Sequence, residues 1–160
     1  MSPKSPQIAR AAHFLRPKAF GRSGKLPGKN YANWHGIVIL IDTDVMVEFL
    51  RGSSKTAAEL AEIGANKIAI SAVTRMELLV GAANAREVKQ IEKSLAAILQ
   101  VSISESISAK AIELIKKYAK SHGLKIPDGI IAATAMDQSL DLFTYNVRDF
   151  KFIEGLTLHS

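Results

Sequence analysis

The chain has 160 residues, 48% of them hydrophobic, enough for one domain with a buried core. It has no cysteine, which excludes disulfides and thiolate metal sites, and no aliphatic run nears the ~20 residues that span a bilayer. The net charge of +6 points to nucleic acid only until it is located: residues 1–36 carry Lys4, Arg10, Arg16, Lys18, Arg22, Lys25 and Lys29 without one acid, while the other 124 hold fourteen basic and all fifteen acidic groups.

Residues 1–36 also contain four of the five prolines and four of the ten glycines. They read as a basic, disordered N-terminal extension with a short helical stretch around 7–15; an RNA-binding arm or a targeting segment are the alternatives. The folded domain is expected over 37–160. Its first element is the β-branched run 37–41, a strand buried on both faces. Helices follow over 43–50 and 55–63, then a strand over 67–70 and helices over 72–83 and 87–99. A third strand is expected over 100–104. A long amphipathic helix over 108–122, with Ala111, Leu114, Ile115 and Tyr118 on one stripe, stops at Gly123. Pro127 suits the first turn of a helix over about 128–138. A strand over 140–144 and a short fifth strand over 156–158 complete the pattern. Strands alternating with helices imply an α/β/α sandwich around a mostly parallel sheet of four to five strands, whose ligands bind beyond the carboxyl ends of the strands.

Four acids sit among residues that such a fold buries. Asp42 ends the first strand, Glu77 lies within Val73-Thr74-Arg75-Met76-Glu77-Leu78-Leu79-Val80, Asp128 opens the run Gly129-Ile130-Ile131-Ala132-Ala133, and Asp149 follows Asn146 after Leu142-Phe143-Thr144. An unpaired buried carboxylate costs several kcal/mol unless its charge is compensated. No basic residue has comparable surroundings, so a divalent cation is the natural compensator, and an all-oxygen donor set suits Mg²⁺ or Mn²⁺. Each acid also has a plain structural role open to it. Asp42 fits a helix N-cap, Asp44 and Asp128 fit first-turn partners of a helix dipole, Glu77 fits the edge of an apolar stripe, and Asn146 and Asp149 fit turn caps. His13, His35, His122 and His159 have no metal-ligand spacing.

Four stretches taken in order resemble the PIN-domain ribonucleases, and within them the VapC-type toxins of toxin–antitoxin pairs. They are Ile39-Leu40-Ile41-Asp42-Thr43-Asp44-Val45, Ile70-Ser71-Ala72-Val73-Thr74-Arg75-Met76-Glu77, Ile126-Pro127-Asp128-Gly129-Ile130-Ile131 and Leu142-Phe143-Thr144-Tyr145-Asn146-Val147-Arg148-Asp149-Phe150. The resemblance covers residues 38–160 and leaves out the basic extension. It implies a Mg²⁺-dependent endoribonuclease (Mn²⁺ substituting) that leaves 5′-phosphate and 3′-hydroxyl ends. Asp42, Glu77 and Asp128 would be its acidic catalytic and metal-binding residues. The fourth acidic position departs from the pattern: some relatives carry Asp where this chain has Asn146, Asp149 is the nearest acid, and Asp44 stands where many relatives have Asn. The resemblance further implies a cytoplasmic protein, an RNA substrate, a VapB-like antitoxin partner and a homodimer, with no membrane. Ser71, Thr43 and Thr144 are candidates to position water or phosphate, and Arg75, Arg148, Lys125 and Lys151 to hold the RNA backbone.

Two other readings compete. Ile41-Asp42-Thr43-Asp44-Val45 also resembles the nucleophile motif of haloacid-dehalogenase-like phosphatases, which need a later strand ending in paired acids. A PIN-like domain that has lost catalysis and serves only as a binding or scaffold module is the other.

Overall fold

The computed structural model describes residues 38–160. The expected disordered extension, its helical stretch around 7–15 and Ile37 lie outside the described residues. Four strands, β1 (Ile39–Ile41), β2 (Ile68–Ser71), β3 (Leu99–Val101) and β4 (Asp141–Phe143), form one sheet in the order β3-β2-β1-β4. Every pairing is parallel, with Leu40 opposite Ala69 and Leu142, and Ala69 opposite Leu99. Six α-helices connect them: α1 (Thr43–Leu50), α2 (Ser54–Ile63), α3 (Ala72–Val80), α4 (Ala85–Leu95), α5 (Glu105–His122) and α6 (Ile126–Asp137).

The period-2 alternation of the strands divides the core in two. Leu40, Ala69, Val101 and Leu142 face Ile107, Ala111, Leu114, Ile131 and Ala135 of α5 and α6. Ile41, Ile68 and Ile70 face Val45, Met46, Phe49, Leu60, Leu78 and Ile91 of α1 to α4. The expected α/β/α sandwich is present, and its sheet is wholly parallel. The fifth strand shrinks to a single parallel bridge between Leu142 and Leu158, closed by Leu142 N–H to Thr157 O and His159 N–H to Leu142 O, both 2.9 Å. Gly155, at φ +82°, turns the chain immediately before that bridge.

Helix ends follow their caps. Gly123 closes α5 at φ +73° in the left-handed region, as its place after His122 predicts. α4 starts at Asn84, whose side chain accepts from Glu87 N–H, and ends at Leu95 rather than running to 99. Leu99 and Gln100 instead join the ladder opposite Ala69 and Ile70. Among the described residues no helix is long and apolar enough to cross a membrane.

Candidate active site

Two strands run directly into a helix N-cap. Asp42 follows β1 and caps α1; Ser71 closes β2 and caps α3. This junction brings both helix N-termini to the carboxyl edge of the sheet, where partial positive charge favours anions. β4 ends beside β1, and Asp42 N–H donates to Phe143 O at 2.9 Å. Thr144 therefore emerges next to Asp42.

Asp42 is only 5% exposed. One carboxylate oxygen accepts from Thr43 N–H and the other from the buried Thr144 hydroxyl, each at 2.7 Å. Burial, then repulsion from Asp44 and a smaller one from Asp128, push its carboxyl up to about 7 against the two hydrogen bonds. Asp42 thus serves as N-cap and as buried acid together. Asp44, in the first turn of α1, accepts from Val45 N–H at 2.6 Å, Tyr145 N–H at 3.1 Å and the Thr144 hydroxyl at 3.4 Å. Burial raises its carboxyl too, ahead of the lowering from these backbone donors.

Glu77 sits on α3, half-buried, and accepts from the Thr43 hydroxyl at 2.6 Å, which ties α3 to the first residue of α1. Val80, one turn further on, is 85% exposed, so the apolar stripe expected beside Glu77 does not continue through it. Asp128 lies in the first turn of α6 behind Pro127. The described residues give its carboxylate no hydrogen-bond donor. Burial raises it first, followed by repulsion from Asp149 and Glu77, with Lys125 pulling the other way. Asp149 occupies a 3₁₀ turn (Val147–Asp149) and accepts from Asn146 Nδ2 at 2.5 Å, while Asn146 N–H donates to the Thr144 hydroxyl at 3.0 Å.

Asp42, Asp44, Glu77, Asp128 and Asn146–Asp149 therefore gather at one edge. Among the described residues, no Lys or Arg forms an ion pair with any of these carboxylates. Nor do any three of them stand close enough to hold an ion as they lie. They share one electrostatic field without yet meeting at a point. The donor chemistry still fits a hard divalent cation: carboxylate, amide and hydroxyl oxygens surround the edge, and Asp42 forms no ion pair with a described base. Asp42, Glu77 and Asp128 are the residues that would hold such a cation, with Asp44, Asp149 and Asn146 beside them.

The auxiliary candidates separate. Thr43 and Thr144 orient Glu77 and Asp42 directly. Ser71 is fully buried, and its hydroxyl caps α3 through Thr74 N–H at 2.9 Å and meets the Thr74 hydroxyl at 3.0 Å. Arg75 is held by Glu92, at 3.1 and 2.6 Å, and by Gln100 at 3.1 Å. Arg148, Lys125 and Lys151 are exposed. Tyr145 was not among the residues the sequence singles out, yet it binds Asp44 through its backbone and α2 through its phenol. The strand ending in paired acids that a haloacid-dehalogenase-like site needs is absent from the described residues downstream: β4 ends in Phe143 and continues as Thr144-Tyr145-Asn146.

Known proteins carry the same arrangement of elements. The family model of the PIN domain matches residues 39–155. Ribonuclease VapC19 of Mycobacterium tuberculosis is 38% identical over 120 residues, covering 73% of this chain and 95% of that protein. Ribonuclease VapC10 of the same organism is 36% identical over 123 residues, covering 74% and 90%. A toxin–antitoxin complex from Klebsiella pneumoniae contains a chain 31% identical, with a TM-score of 0.62 over 74% of this chain and 95% of that one. The chain belongs to the PIN domain family.

Proposed function

We propose that the chain is a Mg²⁺- or Mn²⁺-dependent endoribonuclease and the toxin of a toxin–antitoxin pair. The ribonuclease names of the M. tuberculosis relatives support RNA cleavage, their VapC names support a VapB-like antitoxin, and the Klebsiella toxin–antitoxin complex supports an antitoxin as partner. Homodimerisation belongs to the same reading. The observation that carries it is Asp42, a buried carboxylate raised to about 7, facing further acids and no base. A fold stabilised by its own interactions alone gains nothing from that arrangement.

When bound, the cation supplies charge that polarises an attacking water and neutralises the phosphodiester. The chain's own residues prepare that chemistry. Thr144 holds the Asp42 carboxylate in one orientation, and Thr43 does the same for Glu77 across two helices. Asp128, free of internal donors, keeps its lone pairs available at the N-terminus of α6. Arg148, Lys125 and Lys151 flank the site and are exposed, as RNA phosphate contacts require.

The test is cleavage of a mixed RNA pool by purified wild type and Asp128→Asn, with Mn²⁺ or with EDTA. Cutting by wild type with Mn²⁺ alone is expected. Equal cutting by Asp128→Asn, or cutting in EDTA, would place catalysis elsewhere. A folded protein free of antitoxin that neither binds Mn²⁺ nor cuts any RNA would favour the scaffold module.

A further inference from the structure

We propose that Tyr145 is a positioning residue: its phenol anchors the segment after β4 to the first turn of α2, and so holds Asp44 and the Asn146–Asp149 pair at the carboxyl edge of the sheet. The proposal rests on the metal-site reading above and names the part of the fold that keeps that site assembled.

The residue works in two directions. Its backbone N–H donates to Asp44 Oδ2 at 3.1 Å. Its phenol oxygen lies 2.8 Å from Thr56 Oγ1 and donates to the Glu59 carboxylate. Thr56 is a firm anchor, since it is 1% exposed and bonded to the N-cap Ser53 through both its N–H at 3.3 Å and its hydroxyl at 3.0 Å. The ring is held as well. Phe143 meets it edge-on with centroids 5.5 Å apart, and Lys55 Nζ, itself 3.8 Å from Glu59, lies 5.5 Å from the ring centroid.

Apart from this contact, the turn that follows β4 is held at Thr144, by backbone N–H groups bonded to Asp44 and by its own Asn146–Asp149 bond. Residues 145–148 are exposed and have no regular ladder partner, so side-chain anchors must fix them. Tyr145 links its main chain to a site acid on α1 and its side chain to a second helix, α2.

Tyr145→Phe removes only the hydroxyl, and Thr56→Val removes the anchor from the other side, while Thr56→Ser keeps a hydroxyl there. Hydrogen exchange of residues 144–150 in the metal-free chain and calorimetric titration with Mn²⁺ read the effect. Tyr145→Phe and Thr56→Val are expected to raise exchange and to weaken Mn²⁺ binding about fivefold to tenfold, the loss of about one hydrogen bond. Tyr145→Phe should have the larger effect, since Thr56→Val leaves the Glu59 bond in place, and the pair together should be no worse than Tyr145→Phe alone. Thr56→Ser should behave as wild type. The RNA KM should stay within about twofold, since a positioning role acts on the cation rather than on substrate docking. Unchanged exchange in both disruptive variants, or loosened exchange with wild-type Mn²⁺ affinity, overturns the proposal. Failure of wild type itself to bind Mn²⁺ would instead remove the metal reading, and the proposed role of Tyr145 with it.

Discussion

Acids on the helical rim and acids at the carboxyl edge of the sheet are treated in opposite ways. Glu48, Glu92, Glu113 and Glu154 each sit within 3.2 Å of a Lys or Arg nitrogen, and all but one of the eight partner side chains are more than a third exposed. Such pairs contribute little to stability and lose little when broken. Asp42, Asp44, Glu77, Asp128 and Asp149 share one edge without an ion pair, and all but Asp128 accept from hydroxyl or amide donors. Neutral donors orient a carboxylate without cancelling its charge. The edge therefore gathers carboxylates without an ion pair among the described residues, an arrangement that a bound cation would relieve.

The largest break in this contrast comes from neutralising one edge acid. Asp42→Asn or Asp128→Asn should lower Mn²⁺-supported RNA cleavage by about 10²–10³-fold in single-turnover assays, the loss typical of one electrostatic group at a reacting centre. Glu113→Gln, on the rim, should leave the rate unchanged. Retained activity in Asp42→Asn would erase the distinction between the two regions.

The second break is in pH dependence. The fold raises the Asp42 carboxyl from 3.8 to about 7, so it favours the neutral form. The contribution is intact below 3.8 and lost as pH climbs through about 7, and the raised carboxyls of Asp44 and Asp128 act in the same sense. At about 1.4 kcal/mol per pH unit, Asp42 alone costs the metal-free chain about 4 kcal/mol by pH 8. Urea melts of wild type and Asp42→Asn in EDTA should therefore diverge with rising pH, the variant becoming the more stable. Parallel curves would mean that Asp42 is not strained.

Cation binding should reverse that loss. With Mn²⁺ at 100 times its dissociation constant, wild type should gain about 2.7 kcal/mol, and Asp128→Asn markedly less. The smallest effect is expected at Arg75. Its half-exposed pair with Glu92 makes Arg75→Ala about 1 kcal/mol less stable. Its RNA KM should stay within about twofold, because the guanidinium is already engaged by Glu92 and Gln100. A large rise in KM would restore Arg75 as an RNA contact.

Much of the architecture was legible because local signals and tertiary structure agree. The aliphatic run ending in Asp42, the Gly123 stop and the Pro127 start each state their element within a few residues, and the structure places them there. The gathering of Asp42, Glu77 and Asp128 was legible in kind, as acids embedded in apolar runs. Its wiring was not. Thr43 reaches Glu77 across 34 residues and Thr144 reaches Asp42 across 102, distances at which no periodicity carries information. The same holds for Tyr145, whose partners Thr56 and Glu59 lie 89 and 86 residues away. Arg75 looked available because its partners, Glu92 and Gln100, sit on other elements. Ser71 looked like a phosphate contact, but an N-cap hydroxyl at a strand end meets its own helix first. The overlong helix over 87–99 failed for a related reason: sheet pairing claimed Leu99 as the first residue of β3, while Gln100 joined the strand as expected.

Calorimetric titration of Mn²⁺ into the full chain, in buffers of different ionisation enthalpy, tests the uncompensated charge most directly. With the Asp42 carboxyl pushed up to about 7, binding should release protons near neutral pH and progressively fewer as pH rises above that. Asp42→Asn should diminish that pH-dependent release, leaving the share of the raised Asp44 and Asp128 carboxyls. Absence of Mn²⁺ binding, or undiminished binding with the same proton release in Asp42→Asn, would contradict a cation held by these carboxylates.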